Sequence, residues 1–386
     1  MSKVRIGIVG IGNMGSGHAH QLLAGKISRL ELTAVADIDP AKLKRVPQVK
    51  GFATADAMIA SGLIDAILIA TPHYDHTTIG IKALKAGLHV LVEKPISVHR
   101  ADCERLIAAH TNKKQVFAAM FNQRTDHYYI KIRNLINSGE LGEIRRVNWI
   151  ITNWFRTEHY YASGGWRATW SGEGGGVLLN QCPHNLDLFQ WMFGLPVKVR
   201  SHLGFGRYHD IEVEDDVTAY MEFKNGATGV FITSTGEAPG TNRLEITAER
   251  GKLVYEDDKI TFTRNEQEMT RFSQTTDQAF AAPATWSVSI PAISHGGQHN
   301  EILQNFTDAI LDGETLVAPA SEGIRSVELA NSMLLSAWTD KEVTLPIDGK
   351  KYERLLKQKI AESAAKKKKK KIVKVSGDDF AKSLVR

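Results

Sequence analysis

The chain has 386 residues, 42% hydrophobic and 24% charged, the balance of a globular protein long enough for two cores. Its two cysteines, Cys103 and Cys182, speak against a disulfide framework and suit a reducing cytoplasm, and no apolar run approaches the ~20 residues that cross a bilayer. The net charge of +5 comes from residues 349–386, with fourteen Lys or Arg against four Asp or Glu; the remainder is acidic, which argues against nucleic acid as a partner.

Residues 1–6 run directly into a strand pattern, with no signal-peptide character. Residues 4–9 are short, apolar and β-branched, as in a buried parallel strand. A glycine loop follows, then a helix over 13–24. A second strand, 31–36, ends at Asp37. A third, 65–70, stops at Thr71-Pro72. A helix over 75–86 closes at Gly87. A strand at 89–92, a helix over 98–110 and a strand at 116–120 complete the alternation. That order predicts a doubly wound parallel α/β sheet, the Rossmann arrangement, over residues 1–124.

Beyond it lies a helix over 130–138, then longer polar–apolar alternation from 144. Strands at 217–223 and 227–232 flank Asn225-Gly226, a hairpin signal. Further strands are expected at 244–248, 252–256 and 259–263, with helices over 300–311 and 322–338. Residues 125–348 therefore read as an α+β domain with a large antiparallel sheet. Residues 349–386 form a basic tail. Its six adjacent lysines, 366–371, repel one another and predict a solvated, frayed end.

The glycine loop is Gly10-Ile11-Gly12-Asn13-Met14-Gly15. A strand precedes it and a helix follows, the setting in which glycines admit a pyrophosphate at a helix N-terminus. Asp37, 22 residues after Gly15, can accept from the ribose hydroxyls of NAD; it can also cap the next helix. NAD is the expected cofactor, with NADP still open. Thr71-Pro72-His73 ends another strand and faces the same crevice, where His73 and His76 either touch cofactor or cap a helix. Glu93-Lys94-Pro95 puts a cation at a third strand end, where an ammonium can hold a hydroxyl and stabilise charge on its oxygen.

Gly174-Gly175-Gly176 leads into an apolar stretch carrying Asn180, His184 and Asp187. Read as one helix, it places Asn180 and His184 four apart on one face, with Leu178, Leu186, Phe189 and Met192 as the buried stripe. Pro183 then kinks the helix. His184 is either a general base or a satisfied core histidine. Asp187 either orients His184 or braces the helix. The aromatic segment with Arg156, Tyr160, Trp166 and Arg167 suits a sugar-binding rim, since ring faces stack on sugar C–H groups; it equally suits a subunit interface. His295 and His299 can reach the site from its far end. No metal-ligand spacing occurs; His18 and His20 lack partners for one.

Gly10 to Gly15, Glu93-Lys94-Pro95 and Gly174 to Asp187 recur in this order in the Gfo/Idh/MocA oxidoreductases, which residues 3–348 resemble. The resemblance implies a Rossmann domain followed by an open antiparallel sheet that holds a sugar or cyclitol and often forms the oligomer contact, here expected as a homodimer or homotetramer. It gives Lys94 and His184 the positions of the family's catalytic lysine and histidine. Inositol dehydrogenases of the family have aspartate where this chain has Asn180; some members acting on nucleotide sugars share the asparagine. Asn180 is thus an orienting hydrogen-bonder, and Asn122 joins the substrate set. The implied activity is NAD-dependent oxidation of a secondary alcohol on a cyclic polyol: inositol, aldose or glycoside. A glycoside-cleaving enzyme with transient redox and a non-enzymatic sensor are the alternatives.

Overall fold

The computed structural model describes residues 2–366. Six strands form the first sheet: β1 (Val4–Val9), β2 (Leu30–Ala36), β3 (Lys50–Phe52), β4 (Ala66–Ile69), β5 (His89–Val92) and β6 (Phe117–Ala119). They are all parallel, in the order β3-β2-β1-β4-β5-β6. β1 and β4 are wholly apolar where the helices cover them, with Ile6, Ile8, Ile67 and Leu68 fully buried. The chain order reverses between β1 and β4, so a crevice opens beyond their carboxyl ends. β3 is too short and too exposed for periodicity to reveal it.

Nine strands form the second sheet: β7 (Ile144–Ile151), β8 (Lys198–Phe205), β9 (Glu214–Glu222), β10 (Thr228–Ser234), β11 (Asn242–Ala248), β12 (Gly251–Glu256), β13 (Lys259–Asn265), β14 (Thr285–Ile290) and β15 (Val343–Thr344). Their order is β14-β13-β12-β11-β7-β10-β9-β8-β15. The sheet is antiparallel except where β7 lies parallel to β10. One face packs on Trp149, Phe189 and Phe231, all fully buried. The β9–β10 hairpin turns through Lys224, Asn225 and Gly226, with Gly226 in the left-handed region at φ +85°. Gly226 N–H donates to the Phe223 carbonyl, 3.0 Å, so the loop has three residues rather than two.

Two elements depart from a linear division of the chain. The helix Gln298–Asp312 returns to the first core, burying Ile302, Leu303 and Phe306 there. Arg29 is anchored to it through Asp308 at 2.6 Å. The tail is not frayed where it is described. Residues Gly349–Lys366 form a helix that buries Tyr352 and Leu356 in the second core. Those apolar positions outweigh the surrounding lysines. Residues 367–371 of the lysine run lie outside the described residues.

Candidate active site

A cleft of about 1500 Å³ opens at the carboxyl ends of β1, β4 and β5 and runs to the second sheet. Gly10, Gly12, Asn13, Met14, Asp37, Thr71, Pro72, His73, His76 and Glu93 line its first half. Lys94, Asn122, Arg156, Tyr160, Trp166, Arg167, Asn180 and His184 line the other. Gly15 does not line it. A Cβ at Gly15 would lie 1.9 Å from the Gly10 carbonyl oxygen, so this glycine lets the helix pack against the loop.

Gly10 adopts φ +89°, and a Cβ there would sit 2.6 Å from the Ala70 oxygen. At Gly12 a Cβ would meet nothing within 4 Å, leaving the mouth of the loop open. The helix Asn13–Leu23 has no side-chain cap, so its first N–H groups face the cleft free to bind an anion. Asp37 is buried; its Oδ2 accepts from Ile11 N–H at 2.8 Å and its Oδ1 from Asp39 N–H at 2.9 Å. It braces the glycine loop, while Asp39 caps the following helix. Lys42 Nζ lies 3.6 Å from Asp37. This cradle fits a dinucleotide.

His73 and His76 do not act as helix caps. The His76 ring bridges the Thr71 and Pro95 carbonyl oxygens at 2.9 and 2.8 Å, tying two strand ends together. His73 Nδ1 lies 3.2 Å from the Glu173 carbonyl, and burial with the nearby His76 brings its pKa down to about 3.

The Lys94–Pro95 peptide is cis. Lys94 is partly buried and its Nζ donates to the Asn180 backbone carbonyl at 3.1 Å. Burial lowers the Lys94 pKa; Glu93 and Glu173 oppose that, and Arg156 and Arg167 reinforce it. Glu93 lies 2.7 Å from His18 Nε2. Burial would raise the Glu93 pKa, but His18, His299 and Lys94 hold it down to about 2. Glu93 is therefore a fixed anion beside basic groups. The His18 ring lies 5.5 Å from that of His299, which burial brings down to about 4.

The stretch from Gly174 is not one helix. Residues 174–182 form turns, and the helix Pro183–Phe193 begins at Pro183. Pro183 occupies the first turn, where no N–H is needed, and so starts the helix instead of kinking it. Asn180 consequently does not share a helical face with His184. Its side chain accepts from the Tyr160 hydroxyl at 3.3 Å and donates to Glu173. Glu214 holds the turn: Oε1 accepts from Gly176 and Leu178 N–H at 2.7 and 3.1 Å. Gly176 is required there, since a Cβ would lie 1.9 Å from the Glu214 carbonyl oxygen.

Asp187 does not orient His184. It takes both forks of Arg124, at 2.7 Å each, and accepts from Gln190 at 3.0 Å. His184 is 9% exposed and its Nδ1 has no partner among the described residues. Its ring packs edge-on against Phe121, centroids 6.4 Å apart. Burial, then Lys94 and His299, pushes the His184 pKa well below 6.5, so the imidazole is neutral at pH 7.

His295 and His299 both line the cleft. Four contributors escaped the sequence reading: His18, Glu173, Glu214 and the wall formed by residues 239–242 and 255–258. His18 carried a faint signal, its place on the first helix after the glycine loop. Glu214 is read only through contacts distant in sequence, whereas Glu173 acts within its own irregular loop, on Ala168 and Asn180, where no periodicity points to it. Among the described residues no group of three or more His, Cys, Asp or Glu is placed to hold a metal ion, and no helix is long and apolar enough to cross a membrane.

The family profile described as an oxidoreductase family with an NAD-binding Rossmann fold matches residues 4–121. The profile of the GFO/IDH/MocA C-terminal domain matches residues 129–254. The chain belongs to the Gfo/Idh/MocA family. Within that family it is 30% identical over 241 residues to the 1-carboxy-3-chloro-3,4-dihydroxycyclohexa-1,5-diene dehydrogenase of Comamonas testosteroni, covering 61% of this chain and 58% of that protein. It is 33% identical over 146 residues to the inositol 2-dehydrogenase of Salmonella typhimurium, covering 36% and 43%. These matches thus span about half the length of the curated relatives. The WlbA dehydrogenase of Chromobacterium violaceum, crystallised with NADH and UDP-GlcNAcA, superposes with a TM-score of 0.78 at 26% identity, covering 90% of this chain and 97% of that one. The Gfo/Idh/MocA assignment makes residues 4–121 an NAD-binding Rossmann domain.

Proposed function

We propose that this Gfo/Idh/MocA protein is an NAD-dependent dehydrogenase acting on a secondary alcohol of a cyclic polyol. The observation that carries the reading is the shared cleft: His184, whose Nδ1 has no hydrogen-bond partner among the described residues, and Lys94 line the same cavity as the dinucleotide cradle. The similar proteins are named for ring substrates bearing hydroxyls, which suits a sugar or cyclitol here.

The Gly10–Gly12 mouth and the free N–H groups of the first helix would hold the pyrophosphate, with Asp37 near the adenosine ribose. Bound NAD supplies the hydride acceptor. His184 takes the hydroxyl proton. Lys94, steered by the Asn180 carbonyl, holds the oxygen and stabilises its developing charge. Asn180, through Glu173 and Tyr160, positions that turn.

The test is reduced-nicotinamide formation with inositols, aldoses and glucosides, wild type against His184→Ala. A signal with one polyol class, lost in the variant, is expected. Silence across the panel with wild-type protein overturns the reading; NAD released on denaturation would then favour transient redox.

The alkaline side of the pH profile is expected to report Lys94. Its charged form does the work, and its pKa is lowered from 10.5, so kcat/KM falls as pH rises through a value below 10.5. In Lys94→Arg, which stays charged, that limb is expected to disappear while part of the activity survives. In Lys94→Ala, kcat/KM is expected to drop about 10²-fold or more. An unshifted limb in Lys94→Arg contradicts the assignment.

The exposed outer strand β14 carries Trp286 and Val288 at its surface. An assembly of two or four chains is expected in light scattering; a monodisperse monomer counts against it.

A further inference from the structure

We propose that the ring substrate of this cleft carries a carboxylate, held by Arg156 and Arg167. The inference rests on the dehydrogenase reading and narrows its substrate class.

Both arginines line the cleft and both are half-buried. Neither forms an ion pair among the described residues. Arg156 donates through Nη1 to the Phe155 and Trp154 carbonyls, at 2.9 and 3.3 Å. Arg167 donates through Nη1 to the Tyr160 hydroxyl at 3.0 Å. The Nε of each is buried without a partner. Arg124, also buried, shows how this protein treats a guanidinium it only needs to store: two carboxylates, Asp187 and Glu322, meet it.

The two free guanidinium groups share one aromatic ring. Their central carbons lie 5.2 and 4.8 Å from the Tyr160 ring centroid. Like charges gathered on one ring repel, and Lys94 adds a third cation that both of them disfavour. The nearby carboxylates are already engaged. Glu173 accepts from Ala168 N–H and Asn180 and feels the Arg167 charge without bonding to it, and Glu93 faces His18. A compact anion between Arg156 and Arg167 relieves the repulsion and uses their fork geometry; a neutral hydroxyl does neither. Elsewhere in the cleft Asp126 and Asp258 meet His295 and Glu256 meets Arg243, so those carboxylates are already matched and the arginine pair is left as the place for an anion. A monoanionic ring acid, of the uronate or carboxycyclitol kind, fits that place.

The test uses NAD-loaded full-length protein with glucuronate, galacturonate and quinate against glucose, galactose and inositol. Two readouts are taken: initial rates, and quenching of tryptophan fluorescence, since Trp154 and Trp166 stack with these arginines. At least one acid is expected to exceed its neutral counterpart tenfold or more in kcat/KM. Arg156→Gln and Arg167→Gln are each expected to cut that preference about tenfold, chiefly through KM and weakened quenching. Arg→Lys at either position is expected to recover part of it. Variants whose melting differs from wild type are set aside in favour of the Lys pair. Oxidation of neutral polyols alone, or variants that leave the preference untouched, overturns the inference while the dehydrogenase reading stands. No oxidation of any compound, with no quenching by any acid, overturns both.

Discussion

Replacing His184 with alanine is expected to lower kcat by about 10²–10⁴-fold, the range a positioned general base supplies. The side chain is 9% exposed, lines the cleft and lacks a partner on Nδ1. A histidine kept for packing would have that nitrogen satisfied, because an orphaned buried polar atom costs stability. Its pKa lies well below 6.5, first through burial and then through Lys94 and His299. The sign follows. The neutral imidazole is the working form, so activity is present at neutral pH and lost as pH falls through that lowered value. The acid limb of the wild-type profile is expected below 6.5 and is expected to vanish in the variant. Removing a side chain with an unsatisfied nitrogen should change the melting temperature little. NAD binding, followed by nicotinamide or protein fluorescence, should persist, since the cradle is built from β1, β2 and β4. A variant within threefold of wild type in kcat would show that His184 is not the base.

The second large effect concerns stability. Asp187→Asn is expected to destabilise the protein by about 3–5 kcal/mol, the usual result of leaving one partner of a buried ion pair uncompensated. Arg124 and Asp187 are each 1% exposed in their side chains and joined at two points. The pair links the short 3₁₀ segment Asn122–Thr125, at the exit from the first domain, to the helix that carries His184. Glu322 meets the same guanidinium from a third segment and would keep it partly compensated. A fall of about 4–6 °C in melting temperature is the corresponding readout. The alternative, in which Asp187 orients His184, makes a different forecast: lost kcat at unchanged stability. The observed contacts go to Arg124, so stability is the quantity expected to move, with activity per folded molecule largely kept. The double variant Arg124→Met/Asp187→Leu, which removes both charges, is expected to recover much of the loss.

Much of this architecture is legible locally. Apolar β-branched runs alternating with helices announced β1, β2, β4, β5 and β6, and those strands are where periodicity put them. The glycine loop was legible for a similar reason. Gly10 needs a positive φ and Gly15 a close backbone approach, constraints felt within six residues. β3, β8, β14 and β15 were not foreseen. β3 and β15 have three and two residues, and β14 is exposed along nearly its whole length. Neither kind leaves a burial pattern to detect. The Gly174–Asp187 stretch misled because its spacing is helical while Pro183 begins the helix, so a periodic pattern ran across a boundary.

The sequence by itself determined the Rossmann sheet, the antiparallel sheet that follows it and part of the cleft lining, because strand patterns and the glycine loop rest on short-range backbone and burial rules. The tertiary structure alone decided the partners. Lys94 meets the Asn180 carbonyl, Asp187 meets Arg124, Glu93 meets His18, and Arg156 and Arg167 converge on Tyr160 with no ion pair among the described residues. Most of these pairs are separated by more than sixty residues. Which charge is neutralised and which is left to meet a ligand depends on distance in space and on exclusion of water, and neither is encoded in local spacing.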